Sequence, residues 1–187
     1  MPLRKHLGWI GFLLIVQLCG SGGFTLAQAE EKWGPFRGRI VDVETRQGIP
    51  GAVVLAIWLE KVPTPIEMHT RFYDAREVVS GPDGSFEIPR RPPPFFTFRI
   101  LEPEFKVFAP GYAEDRWVVT PSTGQALVDP TVIEMRRLKT REELRQKSRS
   151  RPYGVPDERM PEFIRAINIE RKMLGMDPIG PTGGSTQ

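Results

Sequence analysis

One cysteine, Cys19, and two histidines, His6 and His69, are all the thiol and imidazole that this chain of 187 residues holds. Thiolate zinc sites need several such residues, and a Cys/His nucleophilic pair needs one of each brought together. Cys19 and His6 both lie upstream of Glu30, in a segment whose pattern marks it for removal. Long apolar runs are scarce too. The longest N-terminal one, Leu7 to Leu18, is about a dozen residues, short of the roughly 20 that a membrane-spanning helix requires.

Arg4, Lys5 and His6 precede that run, and Ala27-Gln28-Ala29 places small residues at the third-last and last positions before Glu30. This is the order of a secretory signal peptide cleaved after Ala29, and it predicts an exported, periplasmic or extracellular protein. An alternative makes Cys19, followed by Gly20-Ser21-Gly22-Gly23, a lipidated N-terminus, although Leu18 stands where a lipoprotein motif has a small residue. Cleavage after Ala29 removes the cysteine, so the exported chain has no disulfide and depends on packing, which its 158 residues can supply in one domain.

The sequence pI of about 9.2 is also misleading. Without Arg4 and Lys5 the chain has 24 basic against 23 acidic residues, so its pI is no argument for nucleic acid.

What the chain has in plenty is turn chemistry, with 18 Gly and 19 Pro. Gly38-Arg39-Ile40-Val41-Asp42, Gly48-Ile49-Pro50-Gly51-Ala52-Val53, Gly81-Pro82-Asp83-Gly84-Ser85-Phe86-Glu87-Ile88 and Ala109-Pro110-Gly111-Tyr112 punctuate β-branched and aromatic runs. Strands are expected from Phe36 to Val43, Ala52 to Glu60, Met68 to Ser80, Ser85 to Ile88, Phe95 to Ile100, Phe105 to Phe108, Trp117 to Thr120 and Thr131 to Met135. Ala52 to Glu60 is apolar on both faces, as a central buried strand would be. Gly81-Pro82-Asp83-Gly84 is expected to close a hairpin.

After Leu138 the composition shifts: Arg136 to Lys172 holds twelve Lys and Arg against six Asp and Glu. Thr140-Arg141-Glu142-Glu143 reads as a capping box for a short solvated helix. Asp157 is placed to cap a second helix from Glu158 to about Leu174, with Met160, Phe163, Ile164, Ile167 and Leu174 in one stripe. Residues 178–187, rich in Gly, Pro, Ser and Thr, read as a disordered tail.

The ordered punctuation from 36 to 138 resembles the carboxypeptidase regulatory-like domain of the transthyretin-like (prealbumin-like) superfamily, in an exported bacterial protein. The resemblance implies an all-β, seven-stranded antiparallel β-sandwich without catalytic activity or cofactor, here with a C-terminal helical extension. The organisation is then signal peptide 1–29, sandwich domain 30–138, basic helical extension 139–177 and tail 178–187. Fold does not fix function.

Candidate sites are few. His69 shares a strand face with Glu67, while Asp74 is five residues away and falls on the opposite face of a regular strand. Asp83 and Asp42 read as turn residues and Tyr112 as a loop anchor. Alternation puts Phe96 and Phe98 in the core and leaves Phe95 outside. The leading reading is a non-enzymatic interaction module that binds a protein partner or envelope polymer through a sheet edge or loop end. Phe95, Tyr73 and His69 are its candidate contacts. Alternatives are a cell-wall glycan module stacking sugars on Phe95 or Tyr73, and a hydrolase centred on His69. The apolar stripe of the second helix is expected to fold back onto the sandwich, with a peripheral membrane contact through this basic helix as the alternative.

Overall fold

In the computed structural model, described over residues 32–113, 131–147 and 151–180, six strands form two three-stranded sheets. In one sheet, β1 (Phe36–Asp42) lies between β4 (Ser85–Ile88) and β6 (Thr131–Met135). In the other, β2 (Val53–Pro63) lies between β3 (Met68–Val79) and β5 (Glu104–Phe108). Two helices follow, α1 (Arg141–Lys147) and α2 (Pro161–Met173), with a 3-10 turn at Asp157–Arg159 before the second.

The doubly apolar stretch in β2 is explained by what covers it. Val54, Ala56 and Trp58 point one way, into a core shared with Phe36, Ile40, Phe86, Ile88, Phe105 and Ile133 of both sheets. Val53, Leu55 and Ile57 alternate to the other face and pack with Phe108, Ala75 and the α2 residues Phe163, Ala166 and Ile167. One strand therefore serves two cores. Replacing fully buried Trp58 by alanine would cost about 3–5 kcal/mol.

Several expectations are corrected. β1 and β6 run parallel, with Gly38 opposite Thr131 and Asp42 opposite Met135. No hairpin joins these sequence-distant strands, so nothing local dictates their direction. The turn at Gly81–Gly84 is present, with Gly84 N–H donating to Gly81 C=O at 2.9 Å, but the strands on either side belong to different sheets. β4 pairs with β1, and Ile40 N–H donates to Gly84 C=O at 2.8 Å, a long-range contact that turn chemistry cannot encode.

Phe95 to Ile100 is no strand. It follows three prolines that cannot donate to a ladder, and a turn from Thr97 C=O to Ile100 N–H leaves only a single bridge, Ile100 to Glu60. The expected strand at Trp117–Thr120 lies outside the described residues.

α2 begins later than expected and without Asp157 as its cap. Pro161 stands in its first turn, Met160 is the N-cap residue and has no side-chain cap, and Asp157 instead pairs with Arg151. The capping function passes to a strand: Glu77 of β3 accepts the N–H groups of Glu162 at 2.6 Å and Phe163 at 2.9 Å. The α1 capping box forms as read, with Glu143 N–H on Thr140 Oγ1 at 3.2 Å and Thr140 N–H on Glu143 Oε2 at 3.1 Å. Beyond Pro178, Ile179 is held by Asn168 through two hydrogen bonds of 2.8 and 3.0 Å.

Candidate functional site

The three candidate contacts go to different places. His69 and Glu67 do meet, Nε2 to Oε1 at 3.2 Å, where the connection from β2 enters β3 and both are exposed. Among the described residues no group of three or more His, Cys, Asp or Glu is placed to hold a metal.

Tyr73 is half-buried, and a β-bulge explains its setting. Trp58 pairs with Asp74 and Leu59 with Phe72, so Tyr73 is the extra residue. A bulge turns two successive side chains to one side. Tyr73 and Asp74 thereby share Arg91, which donates to the Tyr73 hydroxyl at 3.3 Å and pairs with Asp74 at 2.8 Å. The guanidinium also lies 4.8 Å from the Tyr73 ring, 5.7 Å from Trp33 and 5.9 Å from Trp58. Arg159 completes the cluster at 3.2 Å from Asp74. Tyr73 is thus committed to a clasp over the core and is no open stacking platform.

Phe95 is 93% exposed, and Phe96 and Phe98, expected inside, are 65% and 75% exposed. The rings contact each other edge to face, Phe95 to Phe96 at 4.9 Å and Phe96 to Phe98 at 6.2 Å. Their loop is tied to the outer part of β2: Lys61 N–H donates to Arg99 C=O and Leu101 N–H to Leu59 C=O, each at 2.8 Å. The β2–β3 connection at the same end exposes Ile66 at 94% and Met68 at 59%. Sequence reading missed these two; Pro63, Pro65 and the Pro92–Pro94 run were the signals that this end leaves the sheet.

The turn residues are structural. Asp42 accepts N–H from Glu44 at 2.8 Å and Thr45 at 3.0 Å, and the Tyr112 hydroxyl, and these hydrogen bonds, the Thr45 N–H foremost, hold its carboxyl below the usual range. Burial beside Asp42 raises the Tyr112 hydroxyl. Asp83 accepts the Ser85 hydroxyl at 2.6 Å and N–H at 3.1 Å, which lowers its carboxyl as well.

The basic segment is not a free cationic surface. Arg136 pairs with Glu143, Lys139 with Glu44, Arg165 with Glu162, and Arg141 donates to Leu174 C=O. Lys147, expected in solvent, is buried: its ammonium sits 3.0 Å from Glu170, 2.7 Å from Ala109 C=O and 3.8 Å from the Phe108 ring centre. The α2 stripe packs back on the β2 face as expected, with Met160, Phe163 and Ile167 in that cluster and Leu174 also buried, so it is not free for the alternative membrane contact. No helix among the described residues is long and apolar enough to cross a membrane. An open depression of about 600 Å³ lies between β3 and β4, lined by Arg37, Val78, Val79 and Phe86 among others, with Arg37 paired to Glu87 across its wall.

No family model, curated protein or solved structure matches the chain.

Proposed function

We propose that the chain is an exported, non-catalytic interaction module, a transthyretin-like sandwich of two sheets closed by its C-terminal helix, that engages a partner in the cell envelope. The contact surface is the aromatic end formed by Phe95, Phe96 and Phe98 with Ile66 and Met68. The observation that carries this reading is the exposure of those three rings. A chain that buries Trp58, Phe108 and Phe163 almost completely leaves three phenylalanines of one loop in water. Clustered exposed apolar side chains of this kind mark interaction sites. The conspicuous acids point the same way, since Asp42, Asp74, Asp83, Glu77 and Glu170 are each occupied in holding the fold.

A glycan platform is less well served. Sugar stacking needs a flat open ring face, and the ring pairs meet at 88° and 87°, edge into face. The test is in-cell crosslinking from this end, comparing the parent chain with Phe95→Ser/Phe98→Ser. Adducts lost in the variant, with an unchanged unfolding midpoint, are the expected result. Adducts that persist would move the contact surface elsewhere.

A further inference from the structure

We propose that the aromatic end is a membrane-docking surface, with Phe95, Phe96, Phe98, Ile66 and Met68 entering the interfacial region of an anionic lipid bilayer. This rests on the reading of that end as the recognition surface and names what it meets.

The shape of the end fits a fluid partner. Its large side chains project from two neighbouring loops, and two of them, Phe95 and Ile66, are more than nine-tenths exposed. Side chains this exposed need a preformed pocket in a protein partner, whereas an interface of mobile headgroups and acyl chains closes around them. Interfacial insertion of this kind reaches about 5–10 Å into the headgroup and acyl boundary.

Backbone polarity at the tip is low, which matters because unpaired N–H groups are costly away from water. Pro63, Pro65 and the run Pro92–Pro94 have no N–H at all. The connection between β2 and β3 satisfies part of its own polar backbone. Thr64 N–H donates to Glu67 C=O at 2.9 Å, the Thr64 hydroxyl to the same oxygen at 2.6 Å, and Glu67 N–H to Thr64 Oγ1 at 3.1 Å.

Charge is distributed to suit an anionic surface. Arg99 lies 5.5 Å over the Phe98 ring, and Lys61 is bound to the same loop through its backbone. Neither side chain pairs with a carboxylate among the described residues. Of the nearby acids, Glu60 pairs with Arg71 at 2.9 Å, Glu67 contacts His69 at 3.2 Å, and exposed Glu102 has Lys32 as a basic neighbour. Basic side chains at the rim of an apolar tip gain from the negative potential of anionic lipid.

Lys32 donates its ammonium to the carbonyls of Thr97, at 3.2 Å, and Ile100, which adds a third basic side chain at the base of the aromatic loop.

The experiment is flotation of the processed protein with vesicles of phosphatidylglycerol mixed with phosphatidylethanolamine, and with vesicles of phosphatidylcholine alone. The parent protein should float with the anionic vesicles, less so as salt is added. Phe95→Ser/Phe98→Ser should lower the partition coefficient by roughly tenfold or more, at an unchanged unfolding midpoint. Lys61→Glu/Arg99→Glu should weaken binding to anionic vesicles and change phosphatidylcholine binding less than about twofold. Failure to float, or flotation indifferent to the phenylalanines, overturns the proposal. A photocrosslinking phenylalanine analogue in place of Phe96 separates the two readings in cells. Lipid adducts support both; protein adducts without vesicle binding keep the aromatic end as the recognition surface but overturn the membrane; no adducts of either kind overturn both.

Discussion

Gly48 and Gly84, from two separate turns, stand back to back. A Cβ built on Gly84 would lie 2.9 Å from the Cα of Gly48 and would overlap the Ile40 carbonyl, and one built on Gly48 would overlap the Asp83 carbonyl. The turn after β1 and the turn before β4 are thereby pressed together. Ile40 N–H donating to Gly84 C=O and Ile49 N–H donating to Ile40 C=O, at 2.8 and 2.9 Å, run through the same contact.

Gly48→Ala and Gly84→Ala should therefore each cost roughly 3–5 kcal/mol, because the obstruction is backbone and cannot swing aside. Gly51→Ala is the control. Its φ of +73° strains an L-residue, yet nothing lies within 4 Å of the added carbon, so about 1–2 kcal/mol is expected. Urea unfolding measures all three. A Gly48→Ala cost no larger than that of Gly51→Ala would remove the close approach as the reason for glycine. The double variant at 48 and 84 should cost less than the sum, since both push on one gap.

Asp42, Asp83 and Glu143 should together set the acid limit of stability. Each carboxylate is held below its ordinary value by hydrogen bonds to the anion: chiefly the Thr45 N–H for Asp42, the Ser85 hydroxyl for Asp83 and the Thr140 N–H for Glu143. A depressed folded-state value means stability that is complete above the unfolded value, near 3.8 for the aspartates and 4.5 for Glu143. It is lost as pH falls through the folded one. Asp42→Asn keeps the shape and one acceptor oxygen but cannot ionise. Unfolding midpoints between about pH 5 and 2 should fall less steeply for Asp42→Asn than for the parent. Parallel curves would assign the acid limit to other groups.

How much of this was readable from the residues follows from where the information lies. Turns are local, so the glycines, the Asp42 turn and the Thr140 capping box were legible, as was the central place of β2 from its two apolar faces. Pairing partners are not local: the parallel β1–β6 contact, the passage of β3 and β4 into different sheets, and the bulge at Tyr73 depend on contacts distant in sequence. The aromatic end misled for a related reason. Alternation in Phe95 to Ile100 assumed a pleat that three preceding prolines and one turn do not form. Glu77, Arg91 and Lys147 were missed because an isolated charge on a strand or helix reads as solvated until its partner is known.

Glu77 supplies a prediction with two parts. As the acceptor for the first free N–H groups of α2 it should stabilise the docked helix, and Glu77→Ala should cost about 1–2 kcal/mol, with Glu77→Gln costing less because one oxygen remains. Burial raises the Glu77 carboxyl above its usual 4.5, outweighing the two N–H donors that pull it down. A raised folded-state value means stability present in full below the unfolded value and lost as pH rises through the folded one. The parent should thus lose stability relative to Glu77→Gln as pH rises above about 4.5. Hydrogen exchange of the α2 amides reports the cap directly, and unchanged exchange in Glu77→Ala would refute it.

The pair of Lys147 and Glu170 fastens both helices to the sheet, and its energetics should be those of a buried charge pair. Glu170 Oε2 accepts from Lys147 at 3.0 Å and from Gly111 N–H at 2.8 Å, while Oε1 is buried without a hydrogen-bond partner. Removing one member strands the other charge away from water, so Lys147→Met or Glu170→Met alone should cost roughly 3–5 kcal/mol. Removing both leaves two flexible apolar chains beside Phe108 and Ala166, and the main remaining penalty is the orphaned Gly111 N–H, about 1–3 kcal/mol. The double variant should therefore be more stable than either single one, with a coupling energy of about 2 kcal/mol or more in a double-mutant cycle. Additive losses would show that the two side chains act independently. In that case α1 is held by the Thr140 cap and the Arg141 contact to Leu174, and the Lys147 ammonium contributes through contacts such as Ala109 C=O and the Phe108 ring.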